Sequence, residues 1–165
     1  MTAVATPDTL SVRTATVTDV PLLVSLINVA FAVERAFVDR DRTDVDDIAA
    51  FLEKGAFLIA DGDTGDPGGI AACIYVETRA DRGYIGMLAV RPGLQGRGLG
   101  HRMMATAEQY CRAAGCRVVD IKIVNLRLEL PGFYRSLGYV DAGTSSFDDP
   151  KLTRPAHFLL MTKEL

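Results

Sequence analysis

Three alternating glycines, Gly96, Gly98 and Gly100, separate an apolar run from a stretch with helical spacing. The apolar run covers residues 84–90 and stops at an Arg-Pro-Gly sequence. Behind the glycines, apolar residues recur every three or four positions, which predicts one face of a helix: Leu99, Met103, Ala107, Cys111 and Ala114. Glycine lets a backbone approach a ligand closely, and a helix start offers unpaired N–H groups at the positive end of its dipole. This predicted strand, turn and helix would suit a phosphate or pyrophosphate.

Three known phosphate-binding loops have glycines at similar spacing. Gly93 to Gly98 has the spacing of a Walker A loop, but Leu99 and Gly100 stand where Lys and Ser or Thr are required, which excludes nucleotide hydrolysis of that type. In a dinucleotide fingerprint the third glycine would come one residue later than Gly100. The third pattern, Gln or Arg, two residues, Gly, one residue, then Gly or Ala, is matched from Gln95 onwards. A glycine-rich turn without a ligand remains the alternative.

At these residues the sequence resembles the GNAT superfamily of acetyl-coenzyme A-dependent N-acyltransferases. The resemblance implies that the segment is the acyl-CoA pyrophosphate loop, and it makes acetyl-CoA the expected co-substrate. It assigns the pantetheine arm to main-chain amides of the preceding strand, and the pyrophosphate to main-chain amides of the turn. The expected strand residues are Leu88, Ala89 and Val90. The expected turn residues are Gln95, Gly96, Arg97, Gly98, Leu99, Gly100 and His101.

A second motif, Phe133-Tyr-Arg-Ser-Leu-Gly-Tyr139, resembles the other signature of that superfamily. The resemblance assigns Tyr134 to the coenzyme sulfur, where it would protonate the leaving thiolate as a catalytic general acid. The alternative is a core tyrosine whose hydroxyl binds a backbone group. The superfamily often has Asn seven residues before this tyrosine, but here Arg127 occupies that place and Asn125 lies nine residues before. No coenzyme role is therefore transferred to Asn125, and the role of Arg127 stays open.

The superfamily mechanism is direct attack of an amine on the thioester within a ternary complex, so no cysteine intermediate is needed. The resemblance places the oxyanion at a strand amide, for which Leu88 is the candidate. Some relatives use a carboxylate on the strand before the glycine turn as the base, but residues 84–90 contain none. Glu34, Asp39 and Glu77 are weaker candidates, since a solvated surface carboxylate is the more usual state. His157 could face the acceptor or lie satisfied in the core.

Length and composition limit the remaining classes. The 165 residues suit one domain, and a hydrophobic content of 48% with a mean hydropathy of +0.16 indicates a globular chain. A net charge of −3 and a pI near 5.3 argue against a nucleic-acid partner and slightly favour a cationic acceptor. No apolar stretch approaches the ~20 residues of a membrane span. The three cysteines, Cys73, Cys111 and Cys116, lack metal-site spacing, so no metal and a cytoplasmic setting are expected.

The predicted order is β-α-α-β-β-β-α-β-α-β-β over residues 11–165, after a disordered tail at residues 1–10. The first helix is expected to reach about Phe37, and Thr43 with Asp46 resembles a capping box for the second. Residues 61–69 are predicted as a turn, and residues 141–155 as a polar loop before a final strand at 157–161. The fourth helix should begin near Pro131.

This order indicates a single α/β domain with a mixed, mostly antiparallel sheet and a central parallel strand pair flanked by helices. The strand after the central helix should run parallel to residues 84–90 through a right-handed crossover. The same order occurs in the GNAT superfamily, in which the two parallel strands splay apart to admit the pantetheine arm.

The expected activity is transfer of an acetyl group from acetyl-CoA to a primary amine of a small molecule or peptide. The alternative is a non-catalytic acyl-CoA-binding or regulatory module of the same fold. Dimers are common in the superfamily, and a homodimer is compatible with the sequence without being indicated by it.

Overall fold

The computed structural model describes residues 11–62 and 69–165. The predicted disordered tail at 1–10 and most of the predicted turn at 61–69 lie outside the described residues. The observed strands and helices follow the predicted order, with these bounds: β1 Val12–Thr14, α1 Val20–Ala30, α2 Val45–Lys54, β2 Ala56–Asp61, β3 Ile70–Arg79, β4 Arg82–Val90, α3 Leu99–Ala113, β5 Val118–Val124, α4 Leu130–Ser136, β6 Val140–Ser146 and β7 His157–Glu164.

Seven strands form one sheet in the order β1-β2-β3-β4-β5-β7-β6. All neighbouring pairs are antiparallel except β4 and β5, which are parallel as predicted. Helices α1 and α2 pack on one face of the sheet, and α3 and α4 pack on the other. Strand β3 is buried on both faces from Ile70 to Glu77, because helices cover both sides of it.

Three local predictions were wrong. Helix α1 ends at Ala30 and gives way to a 3-10 helix at Ala32–Ala36, none of whose apolar residues is buried, so the segment offers no apolar face to prolong α1. Helix α2 is capped by Asp44, whose side chain accepts a hydrogen bond from the Asp47 amide, and not by Thr43 with Asp46. Strand β6 occupies the start of the predicted polar loop. All seven of its residues are exposed, so alternation of buried positions does not mark it.

Strands β4 and β5 pair over three residues each, Arg82–Tyr84 against Val118–Asp120, and then diverge. On its other side, β4 carries an irregularity: the register with β3 shifts between Cys73 and Tyr75. Met87, which lies in this irregular part, has a φ of 48°, which is unusual for a residue with a side chain. On the side of β5, the second half of β4 therefore borders an opening in the sheet, whereas on its other side Ala89 and Val90 still pair with β3.

Candidate active site

A cleft of about 1460 Å³ begins where β4 and β5 diverge. Its walls come from the second half of β4, the glycine turn, β5, α4 and the segment that follows α1. The chain therefore brings the two sequence motifs and an unforeseen polar segment to one cavity.

The glycine turn has the backbone conformation that its composition predicted. Gly93, Gly96 and Gly98 have φ values of 91°, 77° and 80°, and a Cβ added to any of them would meet nothing within 4 Å. Glycine is therefore required by the left-handed conformation and not by crowding. Gly98 directly precedes α3, and its carbonyl accepts the first helical hydrogen bond, from the Arg102 amide at 3.1 Å. The amides of the first turn of α3 have no partner within the helix.

Most of the residues expected to hold the coenzyme line this cleft: Leu88, Val90, Gln95, Gly96, Gly98, Leu99, Gly100 and His101. Ala89 and Arg97 do not line it with their side chains. Ala89 is buried against α1, and Arg97 is exposed on the turn. The expectation for both concerned their main-chain amides, so it is unaffected by where their side chains lie.

A row of aromatic rings joins the glycine turn to the second motif. His101 stands edge-on to Phe133 with ring centroids 4.9 Å apart, and Phe133 stands edge-on to Tyr134 at 5.0 Å. A Cβ on Gly100 would lie 3.4 Å from the Phe133 ring, so the helix start and α4 are in close contact. Helix α4 begins at Leu130 with Pro131 in its first turn, as predicted. Phe133 therefore fixes the position of Tyr134 relative to the turn.

Tyr134 is 8% exposed, and it lines the cleft. No hydrogen bond joins its hydroxyl to any other described residue, so this tyrosine is not held by a backbone group. Burial raises the pKa of Tyr134 to about 12, with a further contribution from Tyr84 and an opposing one from Arg127. The phenol therefore keeps its proton at neutral pH and can donate it into the cleft.

A partly buried polar cluster of Tyr139, Glu108 and Lys163 lies next to Tyr134. The Tyr139 ring packs edge-on against Tyr134 at 5.9 Å, and its hydroxyl donates to the buried Glu108 carboxylate at 3.1 Å. Lys163 donates to the same carboxylate at 2.9 Å. Glu108 is 6% exposed, and these two partners satisfy its charge in the core.

Of the three carboxylates that were expected to be solvated, Glu34 and Glu77 are largely buried and Asp39 is exposed. Glu34 and Glu77 have side chains 12% and 10% exposed, and both line the cleft, whereas Asp39 is 75% exposed, as expected. Glu77 accepts a hydrogen bond from the Tyr75 hydroxyl at 2.8 Å and another from Arg79. The hydrogen bond from Arg79 holds the pKa of Glu77 below its ordinary value, and Tyr75 adds to this.

Glu34 lies in the 3-10 helix after α1, and its environment is the opposite of that of Glu77. Its buried Oε2 atom accepts no hydrogen bond within the described part of the chain, and Nη1 of Arg127 lies 3.6 Å away. Burial raises the pKa of Glu34, while Arg42, Arg127 and Arg40 oppose that rise. Glu34 is therefore a carboxylate poised to take up a proton.

Arg127 precedes α4 and is the cleft residue whose role the sequence left open. Its side chain is 15% exposed and donates to Glu129 at 2.7 Å, in addition to its contact with Glu34. Its guanidinium and that of Arg42 lie 5.9 Å and 5.3 Å from the centroid of the Phe31 ring. This part of the cleft therefore consists of an aromatic ring flanked by two cations and one buried carboxylate.

Two residues considered from the sequence lie elsewhere. Asn125 ties β5 to β7, since its side-chain oxygen accepts from the His157 amide at 2.9 Å and its own amide donates to the His157 carbonyl. The His157 side chain is exposed and does not line the cleft, so neither expectation for it holds.

Comparison with known proteins settles the family. A sequence profile described as the acetyltransferase (GNAT) family matches residues 25–139, well over half of the chain. The chain belongs to the GNAT acetyltransferase family. The matched region includes the glycine turn, Tyr134, Glu34 and Arg127. A comparison of the sequence with curated proteins finds no match.

Solved structures with the GNAT fold extend the likeness to nearly the whole chain. The ribosomal-protein-alanine N-acetyltransferase of Brucella melitensis is similar with a TM-score of 0.74 and 22% identity, over 94% of this chain and 100% of that one. The ribosomal-protein-S18-alanine N-acetyltransferase of Escherichia coli has a TM-score of 0.74 and 15% identity, over 93% and 92%. The yncA protein of Salmonella typhimurium, solved with acetyl-CoA, has a TM-score of 0.72 and 20% identity, over 96% and 95%. These likenesses confirm the predicted fold class.

Two further observations concern this GNAT chain within its described residues. No helix there is long and apolar enough to cross a membrane. No group of three or more His, Cys, Asp or Glu side chains there could hold a metal ion.

Proposed function

We propose that this GNAT acetyltransferase transfers the acetyl group of acetyl-CoA to a primary amine of a small molecule or peptide, by direct attack in a ternary complex. The observation that carries the proposal is the continuity of the cleft. One cavity joins the left-handed glycine turn, the second half of β4 on the side where it no longer pairs with β5, the unbonded Tyr134 hydroxyl and the buried Glu34 carboxylate.

The residues of one half of the cleft fit acetyl-CoA. A Cβ at Gly96 or Gly98 would meet nothing, so the main chain is open to a pyrophosphate, which the first-turn amides of α3 would bind. The backbone of Leu88 to Val90 borders the opening between β4 and β5, where an extended pantetheine arm could hydrogen-bond to it. The bound coenzyme supplies a thioester carbonyl for the amine to attack.

Tyr134 and Leu88 are the groups proposed to act at that carbonyl. The Tyr134 phenol keeps its proton at neutral pH and would give it to the departing thiolate. The Leu88 amide lies beside the irregular part of β4, where Met87 has its left-handed backbone, and would donate to the developing oxyanion.

The base is proposed to be Glu34, and the argument is a comparison with Glu77. A base must be unprotonated at working pH and yet favour a proton, which requires a pKa that is raised and not lowered. Glu77 is committed to Tyr75 and Arg79, and its pKa is lowered. Glu34 Oε2 has no hydrogen-bond donor among the described residues, and burial raises the pKa of Glu34. Glu34 would accept a proton from the bound ammonium, so that the neutral amine could attack the thioester carbonyl.

Thiol release from acetyl-CoA with a panel of primary amines tests the proposal. Acetylated amine and free coenzyme A should appear in equal amounts, as direct transfer requires. Calorimetry with acetyl-CoA provides the companion measurement. Tight binding with no turnover on any amine would support a non-catalytic acyl-CoA-binding module, and the absence of both would refute either function.

A further inference from the structure

Five arginines line the cleft, and four of them have a carboxylate partner. These pairs are Arg40 with Asp149, Arg79 with Glu77, Arg82 with Asp120, and Arg127 with Glu34 and Glu129. Within the described residues, Arg42 has no carboxylate within ion-pair distance. An arginine in a cleft that no acidic side chain neutralises is a place for an external anion.

Arg42 is also held in place for that task. Its guanidinium lies over the ring of Phe31 at 5.3 Å from the centroid, which restrains a long side chain and partly desolvates it. The next residue, Thr43, is anchored by a two-way hydrogen bond between its backbone and the Asn28 side chain of α1, at 2.9 and 3.0 Å. Arg40 donates to the Arg42 carbonyl at 3.3 Å while remaining bound to Asp149. The backbone that carries Arg42 is thus fixed on both sides.

Glu34 faces the same corner with the opposite charge. Its Oε2 is buried with no hydrogen-bond donor among the described residues, and Arg42 is the charged group that most opposes the rise in the pKa of Glu34. Burial raises the pKa of Tyr84, which lines the cleft at the point where β4 and β5 diverge, and Arg42 is again the charged group that most opposes the rise. Arg42, which has no ion-pair partner among the described residues, and Glu34, whose Oε2 has no hydrogen-bond donor among them, therefore share one end of one cavity.

We infer that the acceptor is a free amino acid or a close analogue, an amine that carries a carboxylate near its nitrogen, with the carboxylate bound by Arg42 and the ammonium by Glu34. The inference rests on the proposed function and names its substrate class. Bidentate binding of a carboxylate by a fixed guanidinium is both strong and directional, so it would also orient the amine. The arrangement of Arg42 and Glu34 argues against the cationic acceptor that the net negative charge of the chain suggested.

Other amines fit this corner less well. A polyamine or aminoglycoside would bring further positive charge beside Arg42 and Arg127 and would leave Arg42 without a partner. The amino terminus of a peptide has an amide where a free amino acid has its carboxylate, and so would lose the ion pair. Because a bound ligand would cover the partly exposed Arg42 guanidinium without pairing with it, which costs free energy, these acceptors should bind less well than a free amino acid.

The test compares amino acids with their own amides, such as methionine with methioninamide and phenylalanine with phenylalaninamide, in the thiol-release assay. We expect the free acids to exceed the amides in kcat/KM by about tenfold or more. In Arg42→Gln this preference should fall to within about twofold, mainly through KM for the acids, with the amides little changed. Arg42→Lys should retain part of the preference. Arg112→Gln, at an exposed arginine of α3 that does not line the cleft, should retain all of it.

The outcomes separate this inference from the proposed function. Turnover of amides, dipeptides or spermidine at or above the rate for free acids would overturn the substrate class while leaving the acetyltransferase intact. If no amine turns over, calorimetry of methionine against the protein with bound coenzyme A decides the matter. Heat that disappears in Arg42→Gln and persists in Arg112→Gln would support the amino acid site, and no heat at all would overturn it.

Discussion

Replacing Glu34 with Gln should remove activity and yet stabilise the protein at neutral and alkaline pH. The Glu34 carboxylate is buried, and its Oε2 accepts no hydrogen bond from the described residues. A buried acceptor left unsatisfied costs about 1–3 kcal/mol, so relief of the charge should add about 1 kcal/mol to the free energy of unfolding. The groups around it are Arg42, Arg127 and Arg40, which favour the carboxylate, and Glu129, which disfavours it.

The effect should depend on pH with a definite sign. Burial raises the pKa of Glu34 above its ordinary 4.5, so the folded state binds this proton more tightly than the unfolded state does. The contribution of Glu34 to stability is therefore most favourable below the unfolded pKa and declines as pH rises through the folded pKa. The advantage of Glu34→Gln should be small near pH 4 and should grow to its full value by pH 8, in urea titrations of both proteins.

Glu77→Gln is the matched control, because its carboxylate has partners. The pKa of Glu77 is lowered by Arg79 and by Tyr75, so its contribution is present above the unfolded pKa and is lost as pH falls. Glu77→Gln should therefore be the less stable variant at pH 8, with a deficit that shrinks on acidification. The two substitutions remove the same charge from the same cleft and should shift stability in opposite directions.

The activity of Glu34→Gln should fall about 10²–10⁴-fold in kcat/KM, the usual contribution of a general base. In the wild type, kcat/KM should fall as pH drops through the raised pKa of Glu34, and this acid limb should be missing in the variant. Titration of the acceptor ammonium should remain in both. A Glu34→Gln protein that is destabilised by ~3–5 kcal/mol at every pH would instead identify a stabilising buried ion pair with Arg127, and the reasoning would be refuted.

Three further substitutions test other parts of the molecule. Tyr134→Phe should lower kcat about 100-fold or more and leave the calorimetric affinity for acetyl-CoA within about threefold, since it removes a proton donor and no binding surface. Gly98→Ala, at a φ of 80°, should cost roughly 1–2 kcal/mol of stability and weaken acetyl-CoA several-fold, whereas Gly132→Ala within α4 should be neutral or stabilising in the same assays. Asp19→Asn should lose about 1–2 kcal/mol at pH 7, because hydrogen bonds from the half-exposed Arg13 lower the pKa of Asp19 to about 2; this loss, measured in urea, should vanish as pH falls from about 4 to 2.

The parts of the fold that the sequence predicted well are those specified locally. The glycine turn and α3 follow from residues within about twenty positions of each other, and the parallel pairing of β4 with β5 follows from the strand-helix-strand order. Strand β6 was predicted only as a short strand starting at Tyr139 and Val140, and the rest of it was assigned to a loop. It is an exposed edge strand with polar residues, so neither period nor composition distinguishes most of its length from a loop. The N-cap of α2 was predicted at Thr43, one residue before the observed cap at Asp44. Several neighbouring side chains carry oxygens that could accept from the same amides: Thr43, Asp44, Asp46 and Asp47.

Most of the proposed acceptor end of the cleft could not be predicted from the sequence, for a physical reason. Its charged residues lie in three separate segments: Glu34 in the 3-10 helix after α1, Arg42 in the loop before α2, and Arg127 in the loop before α4. The fold brings them together around Phe31. No periodicity links residues so far apart. The usable signal was Arg127, a charged residue in the place where the superfamily often has Asn. A charged side chain in a cleft wall needs partners, and those of Arg127 are Glu129 and Glu34.

The two ends of the cleft use different parts of the polypeptide, and this separates their functions. The proposed coenzyme end consists of main-chain amides and glycine conformations, so it would recognise a diphosphate and an amide-bearing arm without depending on most side chains. The acceptor end relies on the side chains of Phe31, Glu34, Arg42 and Arg127, all borne on segments outside the glycine turn and α3. Substitution of Arg42 should therefore change the choice of acceptor without changing acetyl-CoA affinity. If the substitution changed both the choice of acceptor and the affinity for acetyl-CoA, the two ends would be coupled through the sheet. The inference that main-chain amides serve one end and side chains the other would then be wrong.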